Sequence, residues 1–171
     1  MIIASEHNVG ATSAMPVNYD GVGRQRLLIM RAGANLCAVP LDNVIEVMRA
    51  LPISPVASAP GYVRGLCIVR GEATVVVDAG LLIGGNATQC KRLVTVRTGE
   101  RTVALAVTDV VGARSIAIDD FRHLPPLLTE VGNDAIAAIG TADAELLLLL
   151  RAARLIPPGL LDQVLQDGAQ P

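Results

Sequence analysis

The sequence predicts an all-β protein built from small barrels, with only short helices. Two observations carry that class. Short aliphatic runs recur between residues 27 and 150, each bounded by turn-forming or polar residues, which is the pattern of many short strands joined by tight turns. The chain is 51% hydrophobic but only 2% aromatic, with one Phe and no Trp. Its core must therefore be packed from Val, Leu, Ile and Ala, and the β-branched members favour sheet. At 171 residues it holds one domain or two small fused lobes.

Residues 1–24 lack periodicity and are rich in small and polar residues, so they read as a mobile tail, with a short strand inside 1–4 left open. The ordered body is expected over 25–160. A first strand at 27–30 turns at Gly33, Ala34 and Asn35 and returns over 36–39. Pro40 opens a short helical turn. Leu41, Val44, Ile45 and Met48 keep helix-like spacing, and the chain passes into a strand near Ile45. Three prolines within 51–60 exclude helix and central strand, leaving a loop. Residues 66–69 and 74–77 form a buried hairpin. Its turn, Arg70-Gly71-Glu72, sets two opposite charges around a glycine that accepts positive φ. Residues 81–83 make a short apolar turn and 86–91 a polar linker. Strands at 93–96 and 103–107 flank the polar turn 97–101, and 115–118 continue as strand after 108–113. Pro125-Pro126 starts a loop ending near Asn133. Strands at 136–139 and 146–150 pair across 140–143. The segment 161–171 is a C-terminal short helix and tail, with the amphipathic helical run at 160–165 and Gly168 beyond it.

Composition and motifs exclude several function classes. A net charge of −2, a pI near 5.6 and three aromatic residues leave neither the basic face nor the stacking groups of a nucleic-acid binder. No apolar run approaches the roughly 18 residues of a membrane span, and the N-terminus has no secretory pattern, so no direct membrane insertion and a cytoplasmic location are expected. Cys37, Cys67 and Cys90 are scattered and odd in number, which is neither a disulfide framework nor a metal motif; Cys37 and Cys67 lie in apolar runs and read as buried thiols. With only His7 and His123, no metal triad or Ser-His-Asp site can be assembled. There is no nucleophile elbow and no phosphate-binding loop. Asp119-Asp120 reads as a solvated turn. No catalytic residue, metal or cofactor is assigned, and the chain reads as a binding module.

Residues 65–78 carry the most specific pattern. Gly65, Arg70, Gly71 and Asp78 resemble the central signature of CheW-type chemotaxis coupling proteins, which runs roughly Gly-x-x-Asn-x-Arg-Gly, a β-branched strand, then Asp-Leu-Arg. Ile68 replaces the usual asparagine and Gly80 the last arginine. Upstream, Leu41, Val44, Glu46 and Val47 follow the family's Ile-x-x-Val-x-Glu-[Ile/Val]. Downstream, the segment from Val107 resembles Val-Asp-x-Val-x-x-Val, with Thr108 for the aspartate and Ala113 for the last valine. Ala138 and Arg151 stand for the glycine and aspartate of a final motif. The resemblance runs from Arg26 to Leu161.

It implies two small five-stranded SH3-like β-barrel lobes, packed together with strands exchanged. It also implies a non-catalytic adaptor that couples the cytoplasmic tip of a chemoreceptor to the regulatory domain of a chemotaxis-type histidine kinase. Two alternatives stand beside it: the same kind of adaptor in a pilus-motility or other alternative two-component pathway, and, from a different class, a small β-barrel enzyme. The candidate receptor- and kinase-binding residues are Arg70, Glu46, Val44, Gly65 and Val110. Arg70 leads, because arginine is enriched at interface hot spots; its bland reading is a hairpin-turn arginine kept for solubility. Val44, Val107 and Val110 read as core before contact, and Gly65 and Gly71 as backbone requirements.

Overall fold

A computed structural model describes residues 19–20, 23–125 and 134–169. The tail reading of residues 1–24 lies outside the described residues over 1–18 and 21–22, as does the loop after Pro125; Tyr19–Asp20 and Arg24, by contrast, are strand, so the sheet begins before Arg26. Near the start, β1 (Tyr19–Asp20) pairs with the beginning of β2 (Arg24–Ala32). β2 folds back onto β3 (Asn35–Pro40) across Gly33, whose φ is 63°. A single 3-10 turn at Leu41–Asn43 leads into β4 (Val44–Arg49). The helical turn is therefore shorter than its spacing suggests, for a reason that the strand register supplies. Val44 faces Val96 while Glu46 faces Thr95, so Ile45 is an extra, bulged residue. One inserted residue breaks the period of two and makes a strand mimic helical spacing.

The remaining strands are β5 (Val63–Val69), β6 (Glu72–Asp78), β7 (Arg92–Thr98), β8 (Arg101–Val107), β9 (Asp109–Ala117), β10 (Arg122–His123), β11 (Ile136–Ala142) and β12 (Glu145–Leu150). Two helices complete the described chain, α1 (Ala79–Leu82) and α2 (Pro158–Gly168). Asp78 caps α1 through the Leu81 N–H, and Pro at the first position of α2 costs no hydrogen bond that a helix would have made. No helix among the described residues is long and apolar enough to cross a membrane.

Hydrogen bonding sorts the strands into two sheets. One runs β4-β7-β8-β6-β5; the other runs β9-β2-β3-β12-β11, with the two-residue strands β1 and β10 added at its margins. The two orders correspond strand for strand. Each has a parallel pair in the middle, β6 with β8 and β3 with β12, flanked by antiparallel hairpins. The first half of the chain supplies the hairpin β2–β3 to one sheet and β4, β5 and β6 to the other; the second half supplies β7–β8 and then β9, β11 and β12 in the reverse sense. The bulges repeat as well. Val111 is the extra residue in β9 as Ile45 is in β4, and Ala137 in β11 as Arg64 is in β5.

This exchange explains why strands such as β6 are apolar without alternation: both faces are covered. Val76 joins Cys67, Val69 and Leu93 inside one lobe. Leu27, Ile29, Leu147 and Leu149 fill the other. Val75 and Val77 point the opposite way, into a third cluster between the lobes with Met30, Val39, Val94, Leu105, Leu150 and the α2 residues Leu161 and Val164. Helix α2 is thus longer than the 160–165 run and belongs to the core between the lobes.

Candidate functional site

The hairpin β5–β6 turns in two residues, Arg70 and Gly71, with Val69 opposite Glu72. Both turn residues have positive φ, 50° and 85°, the signature of the tightest hairpin turns. Glycine takes that conformation freely; an arginine does so at some cost, and such strain gathers at functional positions. The turn lifts the Arg70 side chain to 80% exposure and aims it at β4. There Nε and Nη2 donate to the two carboxylate oxygens of Glu46 at 2.9 and 2.7 Å. The arrangement is a planar two-bond fork.

Glu46 is held from below. Its N–H donates to Thr95 Oγ1 at 3.1 Å, and the same hydroxyl donates to the Glu46 carbonyl at 3.3 Å. Thr95 is buried, so the backbone beside the Ile45 bulge is fixed. The hydrogen bonds from Arg70, aided by its charge, hold the Glu46 carboxyl below the usual range against a smaller opposing effect of desolvation. The Arg70 guanidinium is raised by the same contact. The result is a solvent-facing pair of fixed geometry, with two fork nitrogens engaged and the remaining donors pointing outward.

The structure joins Arg70 and Glu46, which lie far apart in sequence, and separates the other candidates from them. Val44 packs against the core between the lobes, and Val110 does so on β9, opposite Met30. Gly65 is buried with φ 137°, and a Cβ there would lie 2.0 Å from the Ser54 carbonyl oxygen. Its absent side chain lets the 51–56 loop bridge to β5 through Ser54 and Leu66. Of the positions that depart from the motif, Ile68 is 64% exposed on β5. Gly80 is buried where a Cβ would meet the Asn86 carbonyl oxygen at 2.2 Å, so no arginine fits.

Sequence reasoning missed Arg64. It is the bulged residue of β5, and its Nε donates to the buried Asp78 carboxylate at 2.8 Å. A second guanidinium nitrogen reaches the Thr88 carbonyl. Asp78 also accepts from the Thr88 N–H at 3.0 Å and the Leu81 N–H at 3.1 Å. Burial alone would push its carboxyl up, but these donors outweigh burial and leave it lowered. The signal was present: an arginine in the otherwise aliphatic run 62–69 must have a buried partner or a way out to solvent.

The thiols are inert by placement. Burial pushes Cys37 up to about 12 and raises Cys67, so neither offers a thiolate nucleophile. No cluster that could hold a metal occurs among the described residues.

Two strand-exchanged β lobes bearing an exposed, backbone-fixed arginine–glutamate pair define a protein-binding module. Comparison with known proteins identifies which kind. Residues 26–157 match the CheW-like domain family, and the chain belongs to that family. It is 31% identical to Protein FrzA of Myxococcus xanthus over 116 residues, covering 66% of this chain and 69% of that one. It is 23% identical to the Chemotaxis protein CheW of Helicobacter pylori over 122 residues, 70% and 73% of the two chains. The solved structure of the scaffolding protein TtCheW from Thermoanaerobacter tengcongensis superposes with a TM-score of 0.67 at 18% identity, over 77% of this chain and 92% of that one. Family membership makes the chain a non-catalytic coupling adaptor of the chemotaxis type.

Proposed function

We propose that this chain couples the cytoplasmic tip of a chemoreceptor to the regulatory domain of a chemotaxis-type histidine kinase in the cytoplasm, and that Arg70 and Glu46 lie at the contact. The observation that supports this reading is the Arg70–Glu46 fork. It brings together the two polar residues of separate motifs, holds both rigidly, and leaves arginine donors free for a partner. A preformed fork loses little conformational freedom on binding. The body that does this is residues 25–160 together with α2. Val44, Gly65 and Val110 serve by positioning: they hold β4, the hairpin and β9 in place.

A second reading puts the same adaptor in a pilus-motility or other alternative pathway. It draws on the motif departures at Ile68, Thr108, Ala138 and Arg151. Reconstitution with receptors and kinases from the same genome separates the readings. The chain should bring one receptor's ligand response to one kinase's autophosphorylation, and Arg70→Ala should abolish that control. If no receptor–kinase pair responds to added chain, the coupling reading fails.

A further inference from the structure

β4 ends its sheet, so among the described residues its outer edge pairs with no strand. The register places Val47 opposite Val94 and Arg49 opposite Arg92. Val47 and Arg49 therefore share one face, and the bulged Ile45 precedes them in the row along the edge strand. Ile45 and Val47 are exposed, at 46% and 44%, and Arg49 is exposed at the end of the row. Two arginines directly opposite one another destabilise a ladder. Lys91 follows at once, with its carbonyl accepting from the Ala50 N–H. Among the described residues neither Arg49 nor Arg92 enters an ion pair. Glu46 does not neutralise them, because it is bound to Arg70 on the opposite face.

The fold does not require this cationic pair. In the other lobe β9 repeats the strand and its bulge, with Val111 and Ala113 in place of Ile45 and Val47, and the ladder position of Arg49 and Arg92 is held by Ser115 opposite Arg26. One lobe therefore sets two arginines opposite one another beside exposed aliphatic residues, whereas in the other the matching position is a serine opposite Arg26, with the Arg24 guanidinium engaged on that serine's hydroxyl and carbonyl. Paired guanidinium groups match carboxylates, and aliphatic side chains beside them match an apolar stripe.

We propose that the β4 face binds an acidic amphipathic segment of the partner protein, its apolar side on Ile45 and Val47 and its carboxylates over Arg49 and Arg92. This deepens the adaptor reading above and rests on it. The test uses the full chain, its R49Q/R92Q variant and an R26Q control. One titrant is a synthetic amphipathic helix with glutamates along one flank, compared with its glutamine counterpart. The other is a chemoreceptor tip fragment from the same genome. The glutamate helix should shift the amide resonances of Ile45, Val47 and Arg49 and bind several-fold tighter than the glutamine helix; R49Q/R92Q should erase that preference while melting no lower than the parent. For the tip fragment, R49Q/R92Q should bind about tenfold more weakly with a shallower salt dependence, and R26Q should be unchanged. Equal binding of the two helices, resonance shifts elsewhere, or a tip affinity unaffected by R49Q/R92Q overturns the inference. Glutamate selection at β4 with no tip binding by the parent chain supports the acidic-segment inference and instead counts against the receptor reading.

Discussion

Arg70, in the turn before β6, and Asp78, at its end, are charged residues in opposite settings. Arg70 is solvated, so its bond to Glu46 orients the side chain more than it stabilises the fold. Arg70→Ala should leave the melting temperature nearly unchanged and weaken receptor coupling by about thirtyfold, in line with hot-spot arginines. Lysine should recover only part, because it lacks the fork. Arg70→Asn, which tolerates positive φ better, should hold or raise the melting temperature and still lose coupling; thermal melts beside the binding titrations check both. Asp78 is buried, and its loss strands Arg64. Asp78→Asn should cost about 2–3 kcal/mol in urea unfolding at neutral pH. Because the folded carboxyl is lowered, its contribution is complete above the unfolded value of about 3.9 and disappears as pH falls through the folded value. The parent should therefore lose stability on acidification through that window more steeply than Asp78→Asn; parallel slopes would remove Asp78 as the acid-sensitive group.

At the scale of elements, what could be read in advance was what neighbours in sequence decide. The hairpins β2–β3, β5–β6, β7–β8 and β11–β12 were legible because turn chemistry and strand runs are local signals. The parallel pairs β3–β12 and β6–β8 and the transfer of β4 and β9 to opposite sheets leave no local trace, so the separate motifs could not show that Arg70 would meet Glu46. The bulge at Ile45 hid β4 behind a helical period, and Arg64 was passed over because its partner Asp78 lies across the hairpin. Two departures from the family pattern separate sharply here. Ile68 is open to solvent, so Ile68→Asn should fold with stability changed by no more than about 0.5 kcal/mol. Gly80→Arg, which also restores the family residue, forces a Cβ against the Asn86 backbone. It should displace the 84–88 loop from Asp78 and lower stability by several kcal/mol. Chemical denaturation of both variants decides whether backbone proximity, rather than motif membership, governs these sites.

For the whole molecule, reciprocal exchange makes each half of the chain incomplete. The half ending after α1 holds β2 and β3, whose further partners β9 and β12 lie in the other half, and β4 and β6, whose partners β7 and β8 do too. Cut off from these, a half would expose Val75, Val77, Met30 and Val39, all buried in the cluster between the lobes, along with unpaired strand edges. Neither half should fold alone, although each contains intact hairpins, since isolated hairpins are marginal in water. The connection between halves, by contrast, is the exposed stretch 84–87, a surface loop of the kind that tolerates breakage. Chains 19–86 and 87–171, expressed separately, should each lack a cooperative melt; mixed in equal amounts, they should recover the β spectrum and a single transition whose midpoint rises with concentration. The rejoined molecule should bind partners like the intact chain, because the Arg70–Glu46 fork and the Arg49–Arg92 pair would be rebuilt. A cooperative melt from either piece alone would mean that one lobe closes on its own strands and that the exchange is not what makes this adaptor a single body.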